Sequence, residues 1–223
     1  MTKIQKIFLE LQSRFGAPTE QWNLWCKRPK NLREREEVII GAILTQNTNW
    51  KNVSKAIDNL KKARTLSLKK ILELPEENLK DLIKPAGFYN SKSKYLRNVA
   101  EFIVSTGFNQ LMKADVSVLR EKLLRLKGVG RETADSILLY ALDKPIFVVD
   151  EYTKRICRAK KICIKMDYEH IRKLFEKNIK KDFALYQDFH ALIVVAGKNR
   201  YQSNPIYTPF RGKGGPKYIV VRK

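Results

Sequence analysis

The chain of 223 residues carries 45 Lys plus Arg against 23 Asp plus Glu, a formal net charge of +22. At this length folding buries about 70% of the extended surface, and a hydrophobic fraction of 43% supplies the core, which excludes disorder over most of the chain. The longest apolar runs, Val38–Leu44 and Ala191–Gly197, fall far short of the ~20 residues of a membrane span.

Helical periodicity dominates. The start, MTKIQKIFLELQSRF, is amphipathic and holds Glu10, which reads as a helix over Lys3–Phe15 rather than a signal peptide, so an intracellular protein is expected in the cytoplasm or at the nucleoid. Apolar residues at i, i+3, i+4 steps then predict helices over Arg33–Thr45, Lys51–Lys62, Leu68–Leu74, Glu76–Ile83 and Ser91–Ser105. Further helices are predicted over Val116–Leu126, Arg131–Leu142, Glu151–Ala159, Tyr168–Lys177 and Phe183–Ala196. Breakers separate them at Gly16-Ala17-Pro18, Pro85-Ala86-Gly87 and Gly128-Val129-Gly130. Only Pro145–Asp150 reads as extended, and six residues between two helices predict a buried connector rather than a sheet. The fold class is all-α. Beyond Tyr201 the chain turns basic and rich in Pro and Gly, and 201–223 reads either as a solvated tail or as an arm over phosphates.

A charge of +22 repels itself unless a polyanion relieves it, and nucleic acid is the usual one. Lysine outnumbers arginine two to one, which suits diffuse phosphate attraction better than bidentate base reading. Cys26, Cys157 and Cys163 sit at no metal-binding spacing, so they read as reduced, buried thiols. His170 and His190 are too few and too far apart to suggest a metal or a nucleophile triad.

The most specific segment runs from Leu123 to Asp135, LLRLKGVGRETAD. Two amphipathic helices meet at a Gly-Val-Gly turn, where glycines permit positive φ and leave the amides of the second helix uncovered. Those amides, with Lys127, Gly128, Val129, Gly130 and Arg131, make a phosphate site at the positive end of a helix dipole. An ordinary αα-hairpin with a glycine turn is the bland alternative. Asp150 stands between an apolar run and a helix, where it caps that helix. Capping also keeps a carboxylate ionised and aimed, so Asp150 is able to stabilise a nearby positive charge or orient a water.

These segments together resemble the helix-hairpin-helix DNA glycosylases similar to endonuclease III, over roughly Glu34 to Gly197. The resemblance is carried by the hairpin, by Ile146-Phe147-Val148-Val149-Asp150 about 20 residues later, by Gly41-Ala42-Ile43-Leu44-Thr45-Gln46-Asn47-Thr48, and by Gly87-Phe88-Tyr89-Asn90. It implies a two-lobed all-α fold. One lobe is 33–144 with the hairpin at 116–142, the other is 1–32 plus 145–200, and DNA crosses the cleft between them. It implies Asp150 as the catalytic carboxylate in removal of a damaged base from double-stranded DNA, with Gln46 filling the gap left by the flipped nucleotide. Members that also cut the backbone carry a lysine where this chain has Glu132, so hydrolysis by water is implied unless another lysine reaches the sugar. Glu132 otherwise merely complements the helix N-terminus.

Many relatives hold a 4Fe–4S cluster with four cysteines; this chain has three scattered ones, so no cofactor is expected beyond room for a monovalent cation at the hairpin. The likeness is greatest to the cluster-free 3-methyladenine glycosylase branch, acting as a monomer. That branch implies a base pocket in which Trp50 and, at altered spacing, Trp22 and Trp25 supply rings, with Glu132 and Lys198 at its edges. Mismatched uracil or thymine, or an oxidised base, is the alternative substrate. A non-catalytic hairpin module that only binds DNA is the alternative class.

Overall fold

The structure is a computed structural model that describes residues 1–199, and the segment read as a basic tail lies outside the described residues. Thirteen α-helices occur among those residues, with no strand. The all-α expectation holds, and the chain divides into two compact units, each described by itself: Met1–Arg28 with the segment from Lys144 onward, and Pro29–Asp143.

In the Pro29–Asp143 unit, α3 (Leu32–Leu44) starts at an Asn31 capping box with Glu34 and is buried without a break from Val38 to Leu44. Such a helix has no polar face in its second half, so it must be enclosed. α4 (Trp50–Lys62), α5 (Leu68–Glu73), α6 (Glu76–Ile83) and α7 (Tyr89–Thr106) follow, capped at α4 by Asn49 and at α5 by Ser67. Then come α8 (Phe108–Lys113), α9 (Val116–Leu124) and α10 (Arg131–Ser136), which widens into π turns over Ile137–Ala141, with the Leu142 amide donating to the Ile137 carbonyl at 3.2 Å. The periodicity predicts one α-helix over Arg131–Leu142. Ile137 through Leu142 are all wholly buried, so this stretch is enclosed on every side and has no polar face.

In the other unit, α1 (Lys3–Phe15) begins at a Thr2–Gln5 capping box and stops at Gly16, whose φ is +66°. α2 (Trp22–Trp25) is a single turn, too short to show a period, which is why the sequence does not reveal it. From Asp143 to Asp150 the chain has no regular secondary structure and turns at Pro145, where the Ile146 amide donates to the Lys144 carbonyl at 2.9 Å; it forms the expected buried connector. Ile146 to Val149 are at most 3% exposed, and side chains serve their amides: Glu176 accepts from Phe147 N at 2.9 Å. α11 (Glu151–Ala159), α12 (Tyr168–Asn178) and α13 (Phe183–Asn199) complete the unit, with Asp150 and Asp167 as caps of the first two. α13 packs on both α1 and α11. Phe147 stacks on Phe175 at 4.6 Å and meets Phe189 edge-on, so the connector is held in an aromatic core up to the residue before the cap.

Candidate active site and nucleic-acid interface

The hairpin of the Pro29–Asp143 unit is built from both sides. Gly128 has φ +93°, and a Cβ there would lie 2.1 Å from ring carbons of Tyr95, so a tyrosine face packs flush against bare backbone. Gly130 differs from the expectation that both glycines are needed for their backbone: its φ is −87° and a Cβ would meet nothing within 4 Å. Of the two, only Gly128 requires glycine for the fold. Val129 is buried at 6% exposure, while Lys127 and Arg131 are exposed. No side chain caps α10, in contrast to α3, α4 and α9 in the same unit. Across the two helices, Arg120 grips the fully buried Asp135 with Nε to Oδ1 at 2.6 Å and Nη2 to Oδ2 at 3.0 Å.

Gln46, predicted to enter the duplex, is half-buried and tied to this hairpin. Its Nε2 donates to the Gly128 carbonyl at 2.9 Å and to Thr133 Oγ1 at 3.0 Å, and Asn98 donates to the Lys127 carbonyl at 3.1 Å. Glu132 is exposed in the first turn of α10, where a carboxylate complements the helix dipole. Trp50 opens α4 and is half-buried. Phe88 lies in the Gly87-Phe88-Tyr89-Asn90 segment. It is 67% exposed at φ +48°, a left-handed backbone that a bulky residue adopts only when its surroundings impose it. Beneath that turn, Lys92 is 2% exposed and donates from Nζ to the Leu44 and Ala86 carbonyls, both at 2.8 Å. Burial pulls its pKa down to about 8, so it remains mostly charged at neutral pH and caps the end of α3.

In the other unit, Asp150 caps α11. Oδ1 accepts the Thr153 amide at 2.7 Å and the Thr153 hydroxyl at 2.9 Å, and Oδ2 lies 3.5 Å from His190 Nε2. Burial pushes this carboxyl up, but the His190 charge, with the two Thr153 bonds, outweighs it and holds the group below its ordinary value. Lys198, half-buried on the last turns of α13, approaches Gln21 Oε1 at 3.5 Å. Burial lowers its pKa, against the raising charges of Glu20 and Asp150, which places its amine within electrostatic reach of the carboxylate. Gly197 lets Tyr152 approach: a Cβ would sit 2.1 Å from that ring.

Trp22 and Trp25 are each 4% exposed and meet edge-on at 5.8 Å. The structure gives both rings to packing, which leaves little face for stacking a base. Trp22 also borders a pocket of about 340 Å³ with Gly16, Pro18, Cys26, Arg28, Asp188 and Leu192 among its walls, a lining that includes neither Asp150 nor Lys198. Of the thiols, only Cys157 is buried; Cys26 and Cys163 are half-buried, because they lie where short segments leave the core. No group of three or more His, Cys, Asp or Glu able to hold a metal occurs among the described residues, and no helix there is long and apolar enough to cross a membrane.

Spacing predicts Asp150 but misses His190, forty residues away in sequence. Its only signal is a histidine on an otherwise apolar stretch of α13, FHALIVVA. The buttresses Tyr95 and Asn98 carry no signal at all, since each looks like an ordinary residue of α7.

The chain as a whole is similar to known DNA repair proteins. The family model described as HhH-GPD superfamily base excision DNA repair protein matches residues 40–181. A Methanocaldococcus jannaschii protein that carries DNA repair glycosylase as a provisional name is 54% identical over 165 residues, 72% of this chain and 75% of its own. Among solved structures, the Helicobacter pylori 3-methyladenine DNA glycosylase MagIII, bound to 1,N6-ethenoadenine, is 32% identical with a TM-score of 0.72, over 89% of this chain and 97% of its own. A non-covalent endonuclease III–DNA complex shares the fold, with a TM-score of 0.68 at 22% identity over 93% and 90% of the two chains.

Proposed function

This chain belongs to the HhH-GPD superfamily of base excision DNA repair proteins and is a DNA glycosylase, and we propose that it hydrolyses the N-glycosidic bond of an alkylated purine such as 3-methyladenine in duplex DNA. The observation that carries the reading is Asp150: a buried carboxylate, anchored through Oδ1 by Thr153 and held ionised. Breaking the bond develops positive charge on C1′ of the sugar, and an oriented anion in a desolvated site stabilises that charge. The same carboxylate orients the attacking water, so the product is a free base and an abasic site. Burial alone would work against such a role by protonating the group, and the pairing with His190 and Thr153 prevents this.

The hairpin supplies grip without sequence reading, through backbone amides, Lys127 and Arg131. Gln46 and the exposed ring of Phe88 offer a polar and an apolar group to a distorted base stack. In this reading Gln46 must first release Gly128 and Thr133. The half-buried ring of Trp50 offers an aromatic face to a cationic alkylated base, and the MagIII likeness supports that lesion class. Glu132 has no amine to attack C1′, so water is the nucleophile. Three cysteines do not supply four thiolates, so the reading involves no iron–sulfur cluster in this chain. We read the enzyme as a monomer acting on double-stranded DNA inside the cell.

A second reading adds strand cleavage, and one observation favours it: Lys198 brings a half-buried amine with lowered pKa into the neighbourhood of Asp150. An uncharged amine is a nucleophile, as a protonated one is not.

Asp150→Asn tests the main reading, because Asn caps helices about as well as Asp and folding should change by less than ~1 kcal/mol. Single-turnover release of 3-methyladenine should fall by roughly 10²-fold or more, with affinity for an abasic duplex retained. Unchanged excision removes Asp150 from catalysis. Lost excision together with a large drop in melting temperature makes it a structural cap.

A further inference from the structure

Thr153 anchors only one oxygen of Asp150. A carboxylate tethered through a single oxygen still rocks about its Cβ–Cγ bond, where the torsional well is broad. The second oxygen faces one side chain across 3.5 Å, His190 Nε2. His190 is 4% exposed, and its ring stands edge-on to Trp22 at 6.0 Å and 85° and to Phe147 at 6.4 Å and 89°. Both aromatic neighbours are themselves buried, at 4% and 0% exposure. The imidazole is therefore gripped by the aromatic core of the unit, and it transmits that rigidity to the carboxylate.

We propose that His190 is a positioning residue for Asp150, fixing Oδ2 so that the plane of the carboxylate is set toward the reacting sugar. The proposal rests on the catalytic reading of Asp150 given above. Two independent facts agree with it. Trp22 and Phe147 leave the ring no room to turn away, and Oδ1 is already committed to the helix cap, so the histidine controls what freedom remains. His190 also leads the influences that keep the carboxylate ionised against burial. Among the described residues Lys198, from the same helix as His190, also feels the Asp150 charge, and it is itself faced by Glu20 from the segment before α2. Trp22 thereby acquires a part in the site without touching a base: it braces the histidine.

The test compares His190→Phe, His190→Gln, Asp150→Asn and the double variant His190→Phe/Asp150→Asn. Each is assayed for single-turnover excision from a 3-methyladenine duplex across pH 4.5–8, for abasic-duplex affinity and for melting temperature. Phe keeps the aromatic packing but has no donor, so excision should fall on the order of 10- to 100-fold, the scale set by a displaced catalytic group. Affinity for the abasic duplex should stay within about twofold. The acid limb of the rate profile should move to higher pH, because burial then acts on Asp150 with less to oppose it. Gln returns an N–H near the place of Nε2 and should recover most of the rate. His190→Phe should add nothing in the Asp150→Asn background, since the histidine acts through that carboxylate.

Parental excision with an unmoved acid limb in His190→Phe overturns the proposal, as does a loss that adds fully to that of Asp150→Asn. If the Phe variant does not fold, Gln and Asn at position 190 decide: Gln reaches Oδ2 and Asn does not, so equal rates for the two overturn it. An active Asp150→Asn protein overturns the reading of the site as a whole, whereas an inactive one beside a fully active His190→Phe protein overturns this proposal alone.

Discussion

Replacing either hairpin glycine with alanine separates folding from DNA binding, and the two positions should behave in opposite ways. Gly128 has φ +93°, and its added Cβ would lie 2.1 Å from Tyr95 Cγ and Cδ1. Left-handed backbone costs a non-glycine residue about 1–2 kcal/mol. Tyr95 contacts the new methyl at the root of its ring, not at a movable tip, so the whole ring must shift, which costs about 1–3 kcal/mol as overpacking does elsewhere. The sum is about 2–5 kcal/mol, and at roughly 2–4 °C per kcal/mol for a protein of this size the melting temperature should fall by about 4–20 °C. Gly130, with φ −87° and nothing within 4 Å of its Cβ, should change by no more than about 0.5 kcal/mol.

The ranking inverts for binding. A methyl at Gly130 projects into open space at the start of α10, where a phosphate must come close to the amides, so Gly130→Ala should weaken all duplexes alike while the protein stays as stable as the parent. The assays are thermal melting, and titration of lesion-free and abasic duplexes followed by fluorescence anisotropy. In a Tyr95→Ala background the Gly128→Ala penalty should shrink to its backbone part, about 1–2 kcal/mol. A Gly128→Ala protein that melts within 2 °C of the parent would refute the reasoning, because neither the backbone conformation nor the tyrosine contact would then be real constraints.

Borohydride present during excision should trap no covalent protein–DNA adduct, and strand breaks should appear only after alkali, because Glu132 stands where an amine would be needed; an adduct abolished by Lys198→Gln would establish the second reading instead. Affinity for duplex DNA should fall with salt at a slope of about −4 to −6 in log K against log[salt], as for some 5–6 neutralised phosphates, and a slope near zero would leave the net charge without a role in binding.

Much of this protein is legible before folding because the signals are local. The Thr2–Gln5 and Asn31–Glu34 capping boxes, the i, i+4 stripes and the breakers at Gly16, Gly87 and Gly128 act within a few residues, so helix positions follow from them. The single turn at Trp22–Trp25 escapes because a period needs more than one turn to be read. The change to π turns at Ile137 escapes because it answers to enclosure by other helices, which no pattern within the segment encodes.

The candidate site divides in the same way. The sequence by itself determined the residues whose chemistry depends on chain neighbours: Asp150 at the junction of an apolar run and a helix, the Gly-Val-Gly turn with its flanking cations, Glu132 in place of an amine, and too few cysteines for a four-thiolate cluster. Only the tertiary structure decided what those residues meet. It brought His190 to 3.5 Å from Asp150 by packing α13 on α11, put Tyr95 under Gly128, turned the Gln46 amide onto the hairpin, and enclosed Trp22 and Trp25. A cap or a turn is a contract between residues a few positions apart, whereas the buried carboxylate of Asp150 meets a side chain forty residues away that becomes its neighbour only when two helices pack.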